Sequence, residues 1–338
     1  MNKSSVYIIA EAGVNHDGDI DIAKRLIDAA ANAGADAVKF QTFKASEIVT
    51  AQAQKAAYQK ETSDSAESQL MMLKKLELDA EAHTELLAHC KTKNIEFLST
   101  PFDSESLDML LEMGISVIKI PSGEITNLPY LRHAGAKDKK IIVSTGMATL
   151  LEVKEAVQAL EQAGTSLANI TLLHCNTQYP TPFEDANLRA MQTLVDTFPE
   201  CAVGYSDHTL GIACPIAATA MGATVIEKHF TLDKTMEGPD HAASIAPDEL
   251  SAMTAAIREI EKALGSSEKE PSPSEKDNIS IARRFLIAAS PIAKGELFNE
   301  SNIAAKRTGN GGISPMRWDD IIGKQATRDF QAGETIAL

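Results

Sequence analysis

Residues 202–230 read AVGYSDHTLGIACPIAATAMGATVIEKHF, and this stretch holds two short hydrophobic strands, each followed at once by polar residues. The first strand runs into Ser206-Asp207-His208-Thr209 and the second into Glu227-Lys228-His229. Neighbouring parallel strands of a barrel place their carboxyl ends at the same edge. The pattern therefore predicts that His208 and His229 converge on one point, as they would in a metal site.

The same alternation of short β-branched runs with amphipathic helical segments extends towards the N-terminus. Helical segments end at glycines such as Gly34 and Gly164. Eight units over about 250 residues favour a closed (β/α)8 TIM barrel, and no G-x-G-x-x-G follows the first strand to suggest a dinucleotide site. The predicted strands are Val6–Glu11, Ala37–Phe40, Glu96–Ser99, Val117–Ile120, Ile141–Ser144, Thr171–His174, Ala202–Tyr205 and Thr224–Lys228.

Length and composition indicate a globular protein of two domains. The chain has 338 residues, of which 44% are hydrophobic and 23% charged. Its formal net charge of −15 argues against a nucleic-acid partner. No apolar run approaches the ~20 residues that span a bilayer, and the N-terminus lacks the features of a signal peptide, so we expect a cytoplasmic protein without a membrane partner. Four scattered cysteines in apolar surroundings predict reduced, buried thiols.

Two segments interrupt or follow the barrel pattern. The second unit is long, and its polar middle, residues 58–65, predicts a lid over the barrel mouth or, alternatively, a solvated insertion. Residues 266–282 have the composition of a linker at their start. We therefore predict a catalytic barrel over 1–265, a linker over 266–282 and a small domain over 283–338, with strands Phe285–Ala289 and Ile303–Ala305. A domain that small is expected to pack on a barrel, its own or a neighbour's.

Nearly every predicted strand ends in polar residues, and buried polar groups are costly unless they bind one another or a ligand. This density predicts an active site at the barrel mouth. His208 and His229 supply two neutral nitrogen ligands and leave positions open for water and a substrate oxygen, which suits Lewis-acid work on a carbonyl. The alternative is that either histidine only hydrogen-bonds inside the mouth. The strand-end groups are Glu11, Lys39, Gln41, Ser99-Thr100, Lys119 with Ser122-Gly123-Glu124, Ser144-Thr145-Gly146, His174 to Thr177, Ser206 to His208 and Glu227 to His229.

The charged groups among them leave several kinds of chemistry open. Lys39 and Lys119, with hydroxyls from Thr100, Ser122 and Ser206, can hold a phosphate or a carboxylate. Either lysine could instead form a Schiff base, as in a class I aldolase. Glu11 and Glu124 could serve as acid and base or simply pair with the lysines.

A series of motifs in order resembles the bacterial sialic acid synthase family over essentially the whole chain. They are Ile9–Gly18, Val38–Thr42, Ser99–Asp103, Lys119–Glu124, Ser144–Met147, Tyr205–His208, and Glu227–Phe230 through Gly238–His241. The tail from Arg283 to Leu338 resembles the antifreeze-like (SAF) domain of that family. The resemblance implies condensation of phosphoenolpyruvate (PEP) with a free amino-sugar aldehyde to a nine-carbon 2-keto acid and phosphate. It also implies a divalent metal, Mn²⁺ with Mg²⁺ or Co²⁺ as alternatives.

The resemblance also implies roles for individual residues. His208 and His229 would bind the metal, Glu11 would be the catalytic carboxylate, with Glu124 as the other candidate, and Arg307 would reach the partner's barrel in a domain-swapped homodimer to hold the acylamino group. The PEP set would be Lys39, Thr100, Lys119, Ser122, Ser206 and His208, and the sugar set Gln41, Glu124, Tyr179, Asp240 and Arg307.

In the implied mechanism the metal polarises the aldehyde, the enol carbon of PEP attacks it, and water adds to the phosphate-bearing carbon before phosphate leaves. Glu11 or Glu124 would orient or deprotonate that water. We expect N-acetylmannosamine as the sugar and N-acetylneuraminate as the product. The alternative is 2,4-diacetamido-2,4,6-trideoxymannose, which would give N,N'-diacetyllegionaminate. A non-catalytic sugar-binding or scaffolding protein is the alternative of another class, and the complete set of strand-end groups argues against it.

Two departures from the family pattern concern the small domain and the sixth strand end. Thr308 follows Arg307 where the family loop often has proline, and Gly312 is an additional glycine. Losing the proline is expected to loosen this loop. Some relatives carry asparagine at the position of Thr177, so Asn176 or Thr177 would take over its contact.

Overall fold

The computed structural model describes residues 5–55 and 67–338. Contacts divide the chain into two compact units, of which the first ends at Gly265 and the second is Ser266–Leu338. A finer division into a linker, 266–282, and a domain, 283–338, stays a prediction. Among the described residues, no helix has both the length and the apolar character needed to cross a membrane.

The first unit is an eight-stranded parallel barrel, so the predicted (β/α)8 fold is confirmed. The strands are β1 (Tyr7–Gly13), β2 (Ala37–Thr42), β3 (Glu96–Pro101), β4 (Val117–Ile120), β5 (Lys140–Ser144), β6 (Ile170–Cys175), β7 (Ala202–Asp207) and β8 (Val225–His229). Their hydrogen-bonded order is β3-β2-β1-β8-β7-β6-β5-β4, and β3 and β4 lie side by side to close the barrel.

Helices surround the barrel, and local sequence sets their ends. Helix α1 starts after Asp19, whose carboxylate accepts hydrogen bonds from the backbone of Asp21 and Ile22. Helix α7 starts with a capping box between Thr149 and Glu152. The helices of this unit are α1 (Ile20–Asn32), α2 (Ala45–Ile48), α3 (Gln69–Leu76), α4 (Ala80–Lys93), α5 (Ser104–Glu112), α6 (Leu128–Gly135), α7 (Leu150–Ala163), α8 (Ala190–Thr197), α9 (Ala213–Ala220) and α10 (Pro247–Leu264).

The long connection after β2 contains the short helix α2 and the helix α3 before α4 begins. Its predicted lid, residues 58–65, lies outside the described residues.

The second unit contains helices α11 (Lys276–Ala282) and α12 (Trp318–Ile321), together with an antiparallel pair, β9 (Phe285–Ala288) and β10 (Ile303–Lys306). Its own apolar core includes Leu286, Phe298 and Phe330. The loop after β10 is closed by a hydrogen bond from the Thr308 hydroxyl to the Gly311 carbonyl at 2.9 Å. The Thr308 side chain thus restrains a loop that we expected the absence of proline to loosen.

Candidate active site

An apolar plug fills the amino-terminal half of the barrel interior. Val117 of β4 packs against the plug, and on β7 the corresponding residue is Gly204. A Cβ on Gly204 would lie 2.4 Å from the Val225 carbonyl oxygen and 2.7 Å from Leu173 Cδ2, so only glycine fits there. The plug residues are Ile9, Ala37, Leu98, Ile142, Leu173 and Val225.

The next inward layer of the barrel is polar. Successive inward side chains on a strand are two residues apart, so each plug residue is followed by one member of this layer. All eight members line a cavity of about 180 Å³ at the barrel mouth. They are Glu11, Lys39, Thr100, Lys119, Ser144, Cys175, Ser206 and Glu227.

Two lysines and two carboxylates form the charged floor of this cavity. The Lys39 Nζ atom lies 2.5 Å from Glu11 Oε2 and 3.5 Å from Glu227 Oε2. It also donates to the Thr100 hydroxyl at 2.7 Å. The Lys119 Nζ atom lies 3.5 Å from Glu227 Oε1, so Glu227 bridges the two lysines. All four charged side chains are buried.

Hydroxyl groups complete this floor. Lys119 donates to the Ser144 hydroxyl at 2.8 Å, and the Ser206 hydroxyl donates to Glu227 at 2.8 Å. Gln41, which lies in the cavity wall, donates a hydrogen bond to Glu11 over 3.4 Å. These are the donors that an entering phosphate or carboxylate would meet.

The two carboxylates differ in proton affinity. Burial, reinforced by Glu227, raises the pKa of Glu11 to about 7, because Lys39 offsets it only in part. Burial also acts on Glu227, but Lys119 and Lys39 outweigh it and lower the pKa of Glu227 to about 2. Two carboxylates whose pKa values differ this much suit distinct roles. Glu11 can exchange a proton near neutral pH, whereas Glu227 stays ionised.

The lysines respond to the same charges. Burial, reinforced by Lys39, lowers the pKa of Lys119, for which Glu227 is the one described carboxylate within 4 Å of Nζ. In Lys39 burial is outweighed by Glu11 and Glu227, so its pKa is raised. Lys39 is therefore a poor candidate for a Schiff base, which requires a neutral amine.

His208 and His229 meet at the mouth, with ring centroids 5.3 Å apart. The Tyr179 ring lies 4.0 Å from that of His208 and 5.5 Å from that of His229. Burial lowers the pKa of His208 to about 4 and that of His229 well below its usual value. Both imidazoles are therefore neutral near pH 7, which is the form that binds metals.

The donor atoms of these histidines fit a divalent ion. His208 Nδ1 is hydrogen-bonded to the Asn176 carbonyl, so it carries the proton and Nε2 keeps its lone pair. His229 Nδ1 is buried, and the described residues offer it no hydrogen-bond partner. Among residues 5–55 and 67–338, no group of three or more His, Cys, Asp or Glu side chains is arranged so that it could hold a metal ion. The two imidazoles would thus leave the other positions to water and substrate oxygen atoms.

The cavity brings together ten of the thirteen predicted site residues. The three others lie elsewhere: Glu124 is half-buried and accepts a hydrogen bond from Asn127 at 2.5 Å, Asp240 is buried in the loop after β8, and Arg307 is exposed in the second unit. Their predicted roles, like those of the ten, stay predictions. The ten are Glu11, Lys39, Gln41, Thr100, Lys119, Ser122, Tyr179, Ser206, His208 and His229.

Sequence reasoning missed three members of the polar layer as site residues, namely Ser144, Cys175 and Glu227. The alternation of inward and outward side chains along a strand identifies them, because each lies two positions after an inward apolar residue. Thr177 also lines the cavity. Asn176 is used locally, since its side chain accepts from the Gln178 backbone at 2.7 Å and its carbonyl contacts His208.

A barrel whose mouth carries paired lysines and carboxylates below two neutral histidines has the features of an enzyme active site, with donors suited to an anion. Comparison with known proteins identifies the family of this chain. This chain belongs to the NeuB family, whose model matches residues 26–269, and it carries a SAF domain over residues 283–338. The predicted resemblance to the sialic acid synthase family and the prediction of an enzyme are confirmed.

Two curated relatives share a name. The N,N'-diacetyllegionaminic acid synthase of Campylobacter jejuni is 56% identical over 97% of this chain and 98% of its own length. The protein of the same name from Legionella pneumophila is 46% identical over 99% of this chain and 94% of its own length.

The solved structures include a relative with another name. The N-acetylneuraminic acid synthetase of Leptospira borgpetersenii, crystallised with citrate, is 38% identical. The likeness covers 82% of this chain and 91% of that one, with a TM-score of 0.73.

Proposed function

We propose that this protein condenses PEP with 2,4-diacetamido-2,4,6-trideoxymannose and water to give N,N'-diacetyllegionaminate and phosphate. The observation that carries the proposal is the 56% identity, over nearly the full length of both chains, to an enzyme named for that product. The relative named for N-acetylneuraminate is 38% identical. These identities favour the alternative sugar of the sequence analysis over N-acetylmannosamine.

PEP would lie on the charged floor. It carries a carboxylate and a phosphate, and the floor offers Lys39 and Lys119 with the hydroxyls of Thr100, Ser144 and Ser206. Ser122 would donate from the rim, where its hydroxyl already accepts from the Gly146 backbone at 3.0 Å. Charge-assisted bonds of this kind hold an anion while its carbon atoms react.

A divalent cation held by His208 and His229, Mn²⁺ in this proposal with Mg²⁺ or Co²⁺ as alternatives, would polarise the sugar aldehyde. The chain itself keeps both imidazoles neutral by burial. Tyr179 packs against both rings and limits their movement.

The carbon–carbon bond would form when the enol carbon of PEP attacks the aldehyde carbon, and the aldehyde oxygen would take a proton from solvent. Water would add to the phosphate-bearing carbon and lose a proton to Glu11, whose pKa of about 7 suits that transfer. The carbon–oxygen bond to phosphate would then break, the new hydroxyl would give its proton to the departing phosphate, and the keto group would remain. Glu11 lines the cavity and Glu124 does not, which favours Glu11 as the base.

The sugar would enter above PEP, against Gln41 and Tyr179 at the mouth. Asp240 and the partner subunit's SAF domain, through Arg307, would complete this part of the site in a homodimer. The homodimer and the cytoplasmic location expected from the sequence both belong to the proposal.

The test is phosphate release from PEP with Mn²⁺ and either the diacetamido sugar, N-acetylmannosamine or no sugar. We expect release with the diacetamido sugar, little with N-acetylmannosamine, and none after chelation. Higher kcat/KM with N-acetylmannosamine would overturn the sugar assignment. For the metal site, His208→Ala should weaken Mn²⁺ binding, measured directly by EPR, and unchanged Mn²⁺ affinity would refute its role.

A further inference from the structure

The loops that follow β1 and β8 are fastened to one another. Asn15 donates from its side chain to the Phe230 carbonyl at 2.9 Å and to the Ser244 hydroxyl at 3.0 Å. Two backbone hydrogen bonds close the base of the β8 loop: Thr231 N–H donates to the Ile245 carbonyl and Ile245 N–H donates to the His229 carbonyl, each at 3.0 Å. These contacts fix the start and the end of the loop but not its middle.

The middle of the β8 loop is held by His241. This ring is fully buried, with Nε2 3.0 Å from Asp17 Oδ2 and Nδ1 2.6 Å from the Thr231 hydroxyl. Asp17, in the β1 loop, has a φ of 53°, a left-handed conformation that aspartate tolerates better than most residues. We name Asp17, His241 and Thr231 the loop latch.

Gly238 shows how closely the latch is packed. A Cβ on Gly238 would lie 2.6 Å from His241 Cδ2 and 2.8 Å from Asp17 Oδ1. Both distances are far below van der Waals contact. Any side chain at this position would push the two latch residues apart.

The order Asp-His-Thr resembles a nucleophilic triad, but burial excludes that use. Thr231 and His241 are both 0% exposed, so no substrate reaches the hydroxyl. Neither residue lines the cavity of the active site. The latch is therefore suited to positioning rather than to chemistry.

We propose that the loop latch positions Asp240 for the sugar and so determines sugar affinity without affecting PEP or metal binding. This rests on the proposed function, in which Asp240 faces the sugar. Asp240 directly precedes His241, and its carbonyl accepts from the Ser244 hydroxyl at 2.7 Å. With the latch intact the loop is already ordered when the sugar arrives. With it broken, sugar binding must order the loop first, at a cost in affinity.

The test compares Gly238→Ala with Gly222→Ala. Gly222 has a φ of 102° and nothing within 4 Å of its added Cβ, so this control carries backbone strain without a collision. In Gly238→Ala we expect the KM for the sugar to rise about tenfold or more, with the KM for PEP and Mn²⁺ affinity within about twofold of wild type. The control should change none of them. Asp17→Asn, on a partly exposed residue, should give a smaller rise than Asp17→Ala because it keeps an acceptor for His241.

Hydrogen exchange of residues 231–243 supplies a readout independent of turnover. Faster exchange together with a higher sugar KM supports the proposal. Faster exchange with an unchanged sugar KM, or a parallel loss of PEP and Mn²⁺ binding, overturns it. A wild-type enzyme that releases no phosphate with either sugar would instead refute the proposed function, and the exchange data would still report whether the latch orders the loop.

Discussion

Glu227→Gln is the sharpest test of the charged floor, because it removes one negative charge without changing shape. Glu227 lies 3.5 Å from the Nζ atoms of both Lys39 and Lys119. Its amide replacement can still accept from Ser206. After the change, no described carboxylate remains within 4 Å of Lys119 Nζ.

The expected loss of stability follows from the same contacts. Lys119 and Lys39 lower the pKa of Glu227 to about 2, so the folded barrel favours the ionised form of this side chain. Removing one partner of a buried ion pair typically costs about 3–5 kcal/mol. For a unit of this size that is a fall in Tm of roughly 6–20 °C. The stabilisation from Glu227 is complete above the unfolded pKa of 4.5 and is lost as pH falls towards 2.

The assay is thermal unfolding at pH 7 followed by far-UV circular dichroism. The single tryptophan, Trp318, belongs to the second unit, so the barrel is followed by circular dichroism rather than by tryptophan fluorescence. PEP should raise the Tm of Glu227→Gln by more than that of wild type, because the anion meets less negative charge on the floor. Glu124→Gln is the matched control, and it should shift Tm by no more than about 2 °C, since Glu124 lies outside the cavity. A Glu227→Gln protein as stable as its control would refute the account of the floor.

Two further changes probe the cavity. Gly146→Ala should raise the KM for PEP at least about tenfold, because its Cβ would lie 2.6 Å from Cγ2 of Thr177, which lines the cavity. Gly123→Ala should have no such effect, since nothing lies within 4 Å of its added Cβ, and equal KM values would contradict the packing argument. PEP affinity, measured by calorimetry, should fall as pH rises through about 7, because ionised Glu11 competes with PEP for Lys39. Glu11→Gln should lose most of that fall, and a variant with an unaltered pH profile would show that another group is responsible.

The barrel was predictable from sequence because its signal is local. Each strand is a short apolar run followed by polar residues, and all eight appear where predicted, with ends that differ by at most two residues. The lid prediction could not be examined in the same way. It fell on residues that the structure does not describe.

The candidate site was predicted only in part, because the alternation of inward and outward side chains along each strand was not used to select its residues. Motif reading selects polar residues near strand ends but does not say which face the interior. Glu227 and Ser144 were in the predicted strand ends and were still omitted from the site. Counting in steps of two from Val225 and Ile142, once these are known to point inward, gives both residues and also His229, which lines the same cavity.

The contacts of the loop latch cannot be predicted by counting residues along a strand. Asp17 and His241 are separated by 224 positions, and no periodicity connects a loop after β1 to a loop after β8. Their contact depends on barrel closure, which brings β1 beside β8 in the register that pairs Glu11 with His229. Under the proposed function, the inward residues of the strands would determine the reaction, and a local pattern reveals them. The choice of sugar would depend on loops whose positions are set by distant contacts, and a local pattern does not reveal those contacts.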